Sequence, residues 1–350
     1  MKSYDVAAFG EPLQLFERPT PQPTGSEVLL RTVAAGICHS DLHFWEGGYD
    51  IGGGKMLRVA DRGIKLPLTM GHEIVGEVVA LGPEAEGVAV GEKRLVFPWI
   101  GCGACAVCRR GDEQLCMKPT FFGVFRPGGY GDHVVVPHPR YLLDISGMDP
   151  AQAAPYACSG VTTYGALKKV GPALKDEPIA VIGAGGLGLM CLSVLKAMGG
   201  KGAIVVDLDP KKRQAALDAG ALAAIDGGAP DAAKQVVAAA NGGVVAAIDL
   251  VGSGGTVQLG IDCIQKGGKV IVVGLYGGAI TIPTPFIPMK AMTVQGSYVG
   301  SLGELTELLD LVRTGKVAPI PVTCRDFHEA DAALHELKAG KLIGRAVLTP

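Results

Sequence analysis

The segment PIAVIGAGGLGLMCLSVLKAMGGKGAIVVD constrains the fold of this chain more than any other stretch. An apolar run suited to a buried strand ends at Gly183, and Gly183, Gly185 and Gly188 spell G-x-G-x-x-G at the opening of a helical run. A second apolar strand, AIVVD, follows. Strand, glycine turn, helix and strand in that order form a βαβ unit, because parallel strands need a crossover and the helix supplies it. Such a unit can hold a dinucleotide. Without side chains at the glycines, a pyrophosphate can approach the helix start, where unpaired N–H groups and the helix dipole favour an anion. Gly186 and Leu187, inside the motif, are read with the three glycines as cofactor contacts. The second strand ends in Asp207, at the spacing of roughly twenty residues that the fingerprint requires. Its carboxylate suits the adenosine ribose hydroxyls and repels a 2′-phosphate, so NAD is favoured over NADP.

The alternation of strand and Ala-rich helix continues through VVAAIDLVG and KVIVVGL, the pattern of a doubly wound Rossmann sheet. Gly252, Gly274 and Leu275 follow these strands at their carboxyl ends, where open α/β sheets bind ligands, so their backbones are expected to flank the nicotinamide. The first 150 residues differ. EVLLRTVAAG, GEVVALG, EKRLVF and YGDHVVVP are short β-type runs punctuated by Gly and Pro, which predicts an antiparallel, barrel-like module. Near residue 296 the character changes again. Ser301 and Glu304 are spaced as a capping box before Leu302, Leu305, Leu309 and Val312, an amphipathic helix that Gly315 can end. The expected fold is α/β plus β: residues 1–158 a β-barrel catalytic domain, 159–295 the nucleotide-binding domain, and 296–350 a return to the first. A chain of 350 residues suits two domains.

Charge narrows the partners. With 32 basic and 34 acidic residues well mixed, the net charge of −2 supplies no footprint for nucleic acid or an anionic membrane surface. A small molecule is the expected ligand. No apolar run approaches the ~20 residues of a membrane span, and the first residues have no signal-peptide layout, so a cytoplasmic protein is expected. Nine cysteines, four of them between Cys102 and Cys116, argue against a disulfide framework and for thiolate metal ligation.

Those four, Cys102, Cys105, Cys108 and Cys116, are spaced C-x2-C-x2-C-x7-C, so one short loop can wrap a tetrahedral ion. Four thiolates close the shell, which makes this ion structural. Zinc is preferred to an iron–sulfur cluster, since no further cysteine cluster follows. Chemistry needs a site with an open corner. Cys38 in GICHSDLH, His72 in GHEIVGEV and Cys158 in YACSGVTTYG could supply a Cys2His set with the fourth position free. Singly each is weak evidence, because free Cys is commonly core and a lone His is commonly structural.

Together these motifs resemble the zinc-dependent medium-chain alcohol dehydrogenase family, in its NAD-dependent bacterial and archaeal branch. G-x-C-H-S-D-x-H, G-H-E-x-x-G, the four-cysteine lobe, the Cys-Ser-Gly stretch and G-x-G-x-x-G occur in the family's order along essentially the whole chain. The resemblance implies a GroES-like catalytic domain, two zinc ions per chain, NAD, and Cys38, His72 and Cys158 as ligands of the catalytic zinc. It makes Glu73 the glutamate that transiently takes the water's position beside the ion. An ordinary ion pair is the alternative reading of Glu73. Asp41 matches the family aspartate behind the ligand histidine, where a carboxylate fixes the tautomer of His72. A turn-capping aspartate is the other reading.

A bound alcohol becomes a hydride donor after losing its hydroxyl proton, which a Lewis-acidic ion promotes. Ser40 can hydrogen-bond the reacting oxygen, and His43 can accept the proton farther out. By the resemblance, a cofactor ribose hydroxyl bridges the two. Lys212 resembles the family's ribose-contacting lysine, His39 stands where some relatives carry a pyrophosphate-binding arginine, and Arg345 resembles a second phosphate-contacting cation. Tyr49 and Trp99 are expected to wall an aromatic, largely apolar pocket suited to alkyl and aryl alcohols and aldehydes. Homo-oligomers are implied, with TVQGSYVG as the contact edge. A polyol dehydrogenase is disfavoured by Cys158, where polyol relatives carry Glu. A zinc-free quinone or enoyl reductase is disfavoured by the ligands themselves, and a nucleic-acid-binding zinc ribbon by the charge balance. Cys191, Cys263 and Cys324 have no assigned role.

Overall fold

The structure, a computed structural model, describes residues 1–350. Strand Val28–Gly36 is the spine of the first half. It pairs antiparallel with Glu73–Leu81, with His133–Val136 and with Arg345–Thr349 near the C-terminus. Lys93–Val96, Leu142–Asp144 and Val322–Asp326 complete a seven-stranded sheet. The register of Val28–Gly36 against Glu73–Leu81 shifts twice, between Leu29 and Leu30 and between Thr32 and Ala34. Such bulges raise local twist and let a sheet curl, as a barrel requires.

The second sheet is all parallel. Its order is Ala223–Asp226, Ala203–Asp207, Ile179–Ile182, Val244–Asp249, Ile264–Val272 and Thr293–Gly296. Chain order reverses on the two sides of Ile179–Ile182, so the crevice of this sheet opens at the carboxyl end of that strand, at Gly183. Parallel sheets need both faces covered. One face joins the large core that runs through helix Ser159–Val170 into the barrel, and the other packs a second core around Ile182, Ile204, Val206 and Ile261.

The capping box at Ser301 forms: Glu304 N–H donates to Ser301 Oγ at 3.1 Å, and Ser301 N–H donates to Glu304 Oε2 at 2.9 Å. The helix it starts, Leu302–Arg313, buries Leu305, Leu308 and Leu309, with Leu302 and Val312 half-buried at the margin. Leu308, outside the expected stripe, is a central contact, and a Cβ on Gly160 would lie 2.8 Å from its Cδ2. Beyond this helix, Val322–Asp326 and Arg345–Thr349 rejoin the first sheet, with Val347 opposite Gly36. No helix is long and apolar enough to cross a membrane.

Candidate active site

Cys38, at the end of the spine strand, caps helix His39–Glu46. Asp41 Oδ2 accepts the Cys38 N–H at 2.8 Å and so pins that turn. Sheet register brings up the next two residues, since Glu73 sits opposite Gly36 and His72 precedes it. Only glycine fits there: a Cβ on Gly36 would lie 2.0 Å from Glu73 Oε2. Cys158 arrives from the other direction, capping helix Ser159–Val170. One ligand atom from each of Cys38, His72, Glu73 and Cys158 falls within 4.8 Å of all the others, and all four residues are buried.

Cys38 Sγ and Cys158 Sγ are 3.9 Å apart. The hydrogen bond between them holds the Cys38 thiol well below its usual range and pushes Cys158 well above it. His72 Nδ1 lies 3.3 Å from Asp41 Oδ1, and neither ring nitrogen of His72 makes a full hydrogen bond. Burial pushes Glu73 up to about 7, against the pull of Arg345, whose Nη2 is 3.0 Å from Glu73 Oε1. An unpaired buried polar atom costs roughly 1–3 kcal/mol. Two thiols and a bare imidazole nitrogen converging in the core therefore fit a resident cation, and this donor set fits zinc.

Asp41 makes the turn cap and also stands against His72. It caps the Cys38 turn with Oδ2, faces His72 with Oδ1, and accepts a hydrogen bond from the Tyr130 hydroxyl at 3.1 Å. Ser40 Oγ is 3.9 Å from Cys38 Sγ. His43 is half-buried with its ring 4.5 Å from that of Tyr49, and burial lowers its pKa. Trp99 donates its indole N–H to Ala157 O at 3.0 Å and packs 5.1 Å from His72. Tyr49 and Trp99 thus stand beside His43 and His72 respectively.

The four lobe thiols also converge, all within 4.8 Å of one another. Backbone N–H groups of Cys102 and Lys118 donate to Cys116 Sγ, each at 3.3 Å. Buried Glu113 ties the lobe down by accepting from Gly101 N–H at 3.0 Å, from the Tyr141 hydroxyl at 2.9 Å and from Arg140.

At the crevice, Gly185 caps helix Gly186–Ala197, and Asp207 Oδ2 accepts the Ala184 N–H at 2.7 Å. Arg345 links the crevice to the cysteine–histidine cluster. A Cβ on Gly186 would lie 3.7 Å from the Arg345 Cζ that also faces Glu73. His39 is exposed and feels the charges of Arg345 and Lys212. Gly252 and Gly274 abut so closely that a Cβ on Gly252 would lie 1.9 Å from Gly274 O. Leu275 is half exposed beside them.

Comparison with known proteins agrees with this geometry. A model described as the alcohol dehydrogenase GroES-like domain matches residues 24–147, and one described as zinc-binding dehydrogenase matches residues 186–314. An NAD-dependent alcohol dehydrogenase of Sulfurisphaera tokodaii is 37% identical over 352 residues, covering 100% of each chain. The chain belongs to the zinc-dependent medium-chain alcohol dehydrogenase family. An alcohol dehydrogenase of Geobacillus stearothermophilus is 35% identical, covering 99% of this chain and 98% of that one. The solved alcohol dehydrogenase of Aeropyrum pernix superposes with a TM-score of 0.91 at 31% identity, with both chains fully covered.

Within this alcohol dehydrogenase scaffold, three residues beside the cleft had escaped the sequence reading. Asp249, fully buried, accepts N–H groups from Val251 at 2.9 Å and Gly252 at 3.0 Å and the Thr256 hydroxyl at 2.8 Å. Its carbonyl also receives the Gly274 N–H at 3.0 Å, so one residue sets both loops that carry the abutting glycines. Tyr130 braces Asp41 from behind. Tyr298, 6.4 Å from Trp99 and from Phe121, extends the aromatic wall. The one local signal was the final Asp of VVAAID, which matches the strand-ending Asp of AIVVD.

Proposed function

We propose that this chain interconverts alkyl and aryl alcohols with their aldehydes or ketones, using NAD, at the cluster of Cys38, His72 and Cys158. The observation that carries the reading is Arg345, which bridges the metal-competent cluster and the glycine turn, so that an ion held at one and a dinucleotide held at the other would share one cleft. When bound, zinc supplies the Lewis acidity that lets a substrate hydroxyl lose its proton near neutral pH, and the nicotinamide carries the hydride.

The protein's own groups do the rest. Asp41 orients His72, and Arg345 pairs with Glu73, whose carboxylate stands beside the cluster and would transiently take the water's position there. Ser40 Oγ accepts the substrate hydroxyl proton as its own hydroxyl proton passes outward, and His43, farther out, is the final acceptor; its lowered pKa keeps the imidazole neutral and ready to accept at pH 7. Arg345, His39 and Lys212 balance the pyrophosphate, Asp207 takes the adenosine ribose, and Gly252, Gly274 and Leu275 flank the nicotinamide. Gly183, Gly185, Gly186, Leu187 and Gly188 cradle the phosphates. Tyr49 and Trp99 wall the substrate side. The Cys102, Cys105, Cys108 and Cys116 lobe holds a second, structural zinc, giving two per chain. Residues 1–158 and 296–350 act as the catalytic domain and 159–295 as the nucleotide domain.

We further propose a cytoplasmic homo-oligomer, dimer or tetramer. Nine free cysteines suit a reducing compartment. Thr293–Gly296 is an unpaired edge of the parallel sheet, flanked by exposed Phe286 and Met289, and a symmetric partner would cover it. Sedimentation giving only monomer at micromolar concentration would remove that proposal. The reaction is tested by NADH or NADPH formation across benzyl, linear, secondary and sugar alcohols. NAD with benzyl and linear alcohols is expected to give the highest kcat/KM, and sugar polyols or NADP in the lead would overturn the reading.

A further inference from the structure

Asp249 ends strand Val244–Asp249 fully buried, and the proposed reaction makes no use of it. A carboxylate in the core is costly unless its lone pairs are taken up. Burial raises its pKa, and what pulls the other way is hydrogen-bond donors alone, with no cation beside it. Oδ1 accepts the N–H groups of Val251 at 2.9 Å and Gly252 at 3.0 Å, and Oδ2 accepts the Thr256 hydroxyl at 2.8 Å. The main-chain oxygen of the same residue accepts Val273 N–H at 2.8 Å and Gly274 N–H at 3.0 Å. One residue thus ties together two loops that leave neighbouring strands of the parallel sheet.

Those loops lie in the cleft. On one side they touch the glycine turn, since a Cβ on Gly183 would lie 3.0 Å from Val251 Cγ2. Gly252, at φ +76°, abuts Gly274, and Tyr276 and Gly277 donate to Val251 O and Gly252 O at 3.0 and 3.1 Å. On the other side a Cβ on Gly277 would lie 2.6 Å from Asp50 O, in the hairpin that carries Tyr49, whose ring stands 4.5 Å from His43. Strand order adds direction. Ala203–Asp207 and Val244–Asp249 flank Ile179–Ile182 on opposite sides, so Asp207 and Asp249 stand on opposite sides of the glycine turn. A dinucleotide with its pyrophosphate at that turn and its adenosine at Asp207 sends its nicotinamide half over the Asp249 loops.

We infer that Asp249 is a positioning residue for the nicotinamide half of the cofactor: it holds the backbones of Val251, Gly252 and Gly274 as one shelf on which that half alone rests. The inference rests on the dehydrogenase reading above and assigns a role within it. Asparagine can take over this task, because its carbonyl accepts the two N–H groups while its amide donates to Thr256 Oγ1, whose hydroxyl can turn to Ser253 O at 3.0 Å. Alanine leaves all three donors without an acceptor.

The test is calorimetric binding of NADH and of ADP-ribose, which lacks the nicotinamide, to the purified full chain. Asp249→Ala is expected to weaken NADH by about tenfold or more and ADP-ribose by less than about twofold. Asp249→Asn should keep NADH within about threefold of the original, a rescue that a requirement for charge would not allow. Thr256→Val removes only the Oδ2 contact and should weaken NADH by about threefold with ADP-ribose unmoved, which keeps the test open where Asp249→Ala does not fold. Parallel losses for the two ligands, no loss for either, or an asparagine variant as weak as the alanine one would overturn the positioning role while the dehydrogenase reading stands. Failure of the unsubstituted chain to bind either ligand would bring down both.

Discussion

Cys158→Ser is expected to lower kcat/KM by roughly a thousandfold or more, because a lost Lewis-acid contribution of about 4 kcal/mol corresponds to three powers of ten in rate. A serine hydroxyl does not ionise near neutral pH, and its oxygen is shorter and harder than the sulfur it replaces. The remaining donors, Cys38 and His72, lie in a buried pocket, with Glu73 held by Arg345. Metal analysis should therefore fall from two zinc ions per chain to one, leaving the four-thiol lobe loaded. The fold should persist, since the substitution conserves volume at the start of helix Ser159–Val170 and removes no backbone contact. Full zinc content with activity within tenfold of the original would defeat the assignment of Cys158 as a ligand.

The second large effect is on stability. The stretch from Cys102 to Cys116 contains one short helix, Ala106–Arg109, and one turn, Glu113–Leu115, with Cys108 and Cys116 its main buried apolar groups. Too little apolar surface is buried there to order fifteen residues, so an ion held by the four thiols would, with the Glu113 contacts, supply the difference. Cys105→Ala should lower the thermal midpoint by roughly 4 °C, as expected for about 3 kcal/mol in a chain of this size. Chelation at elevated temperature should do the same to the unsubstituted protein. Activity per folded molecule should fall far less than in Cys158→Ser, although Trp99 and Phe121, which flank the lobe and pack 5.3 Å apart, transmit some loosening to the pocket. An unchanged midpoint by calorimetry would show that the lobe needs no metal.

The two variants separate the two clusters by their chemistry. The closed set of four thiols leaves no vacant corner, so its loss registers as unfolding. The Cys38, His72 and Cys158 set is built into the junction of strands and helices that hold their shape without it, so its loss registers as rate.

What could be read from the amino-acid order alone shares one property: its determinants lie within a turn or two of chain. The lobe spacing, the glycine turn after PIAVIG, the capping pair Ser301 and Glu304, and the change from strand-only to strand-helix alternation are all of this kind. Local geometry follows directly from such spacing, since short loops and helix ends admit few conformations. Tertiary structure alone decided the rest. Tyr130 reaches Asp41 across 89 residues, Arg345 reaches Ile37 across 308, and Tyr298 meets Trp99 only because the chain returns after the parallel sheet. Asp41 had two readings from sequence: its Oδ2 makes the turn cap, and its Oδ1 lies 3.3 Å from His72 Nδ1 without a full hydrogen bond. Side-chain pairing over long separations is set by packing, which neighbouring residues in the chain do not encode.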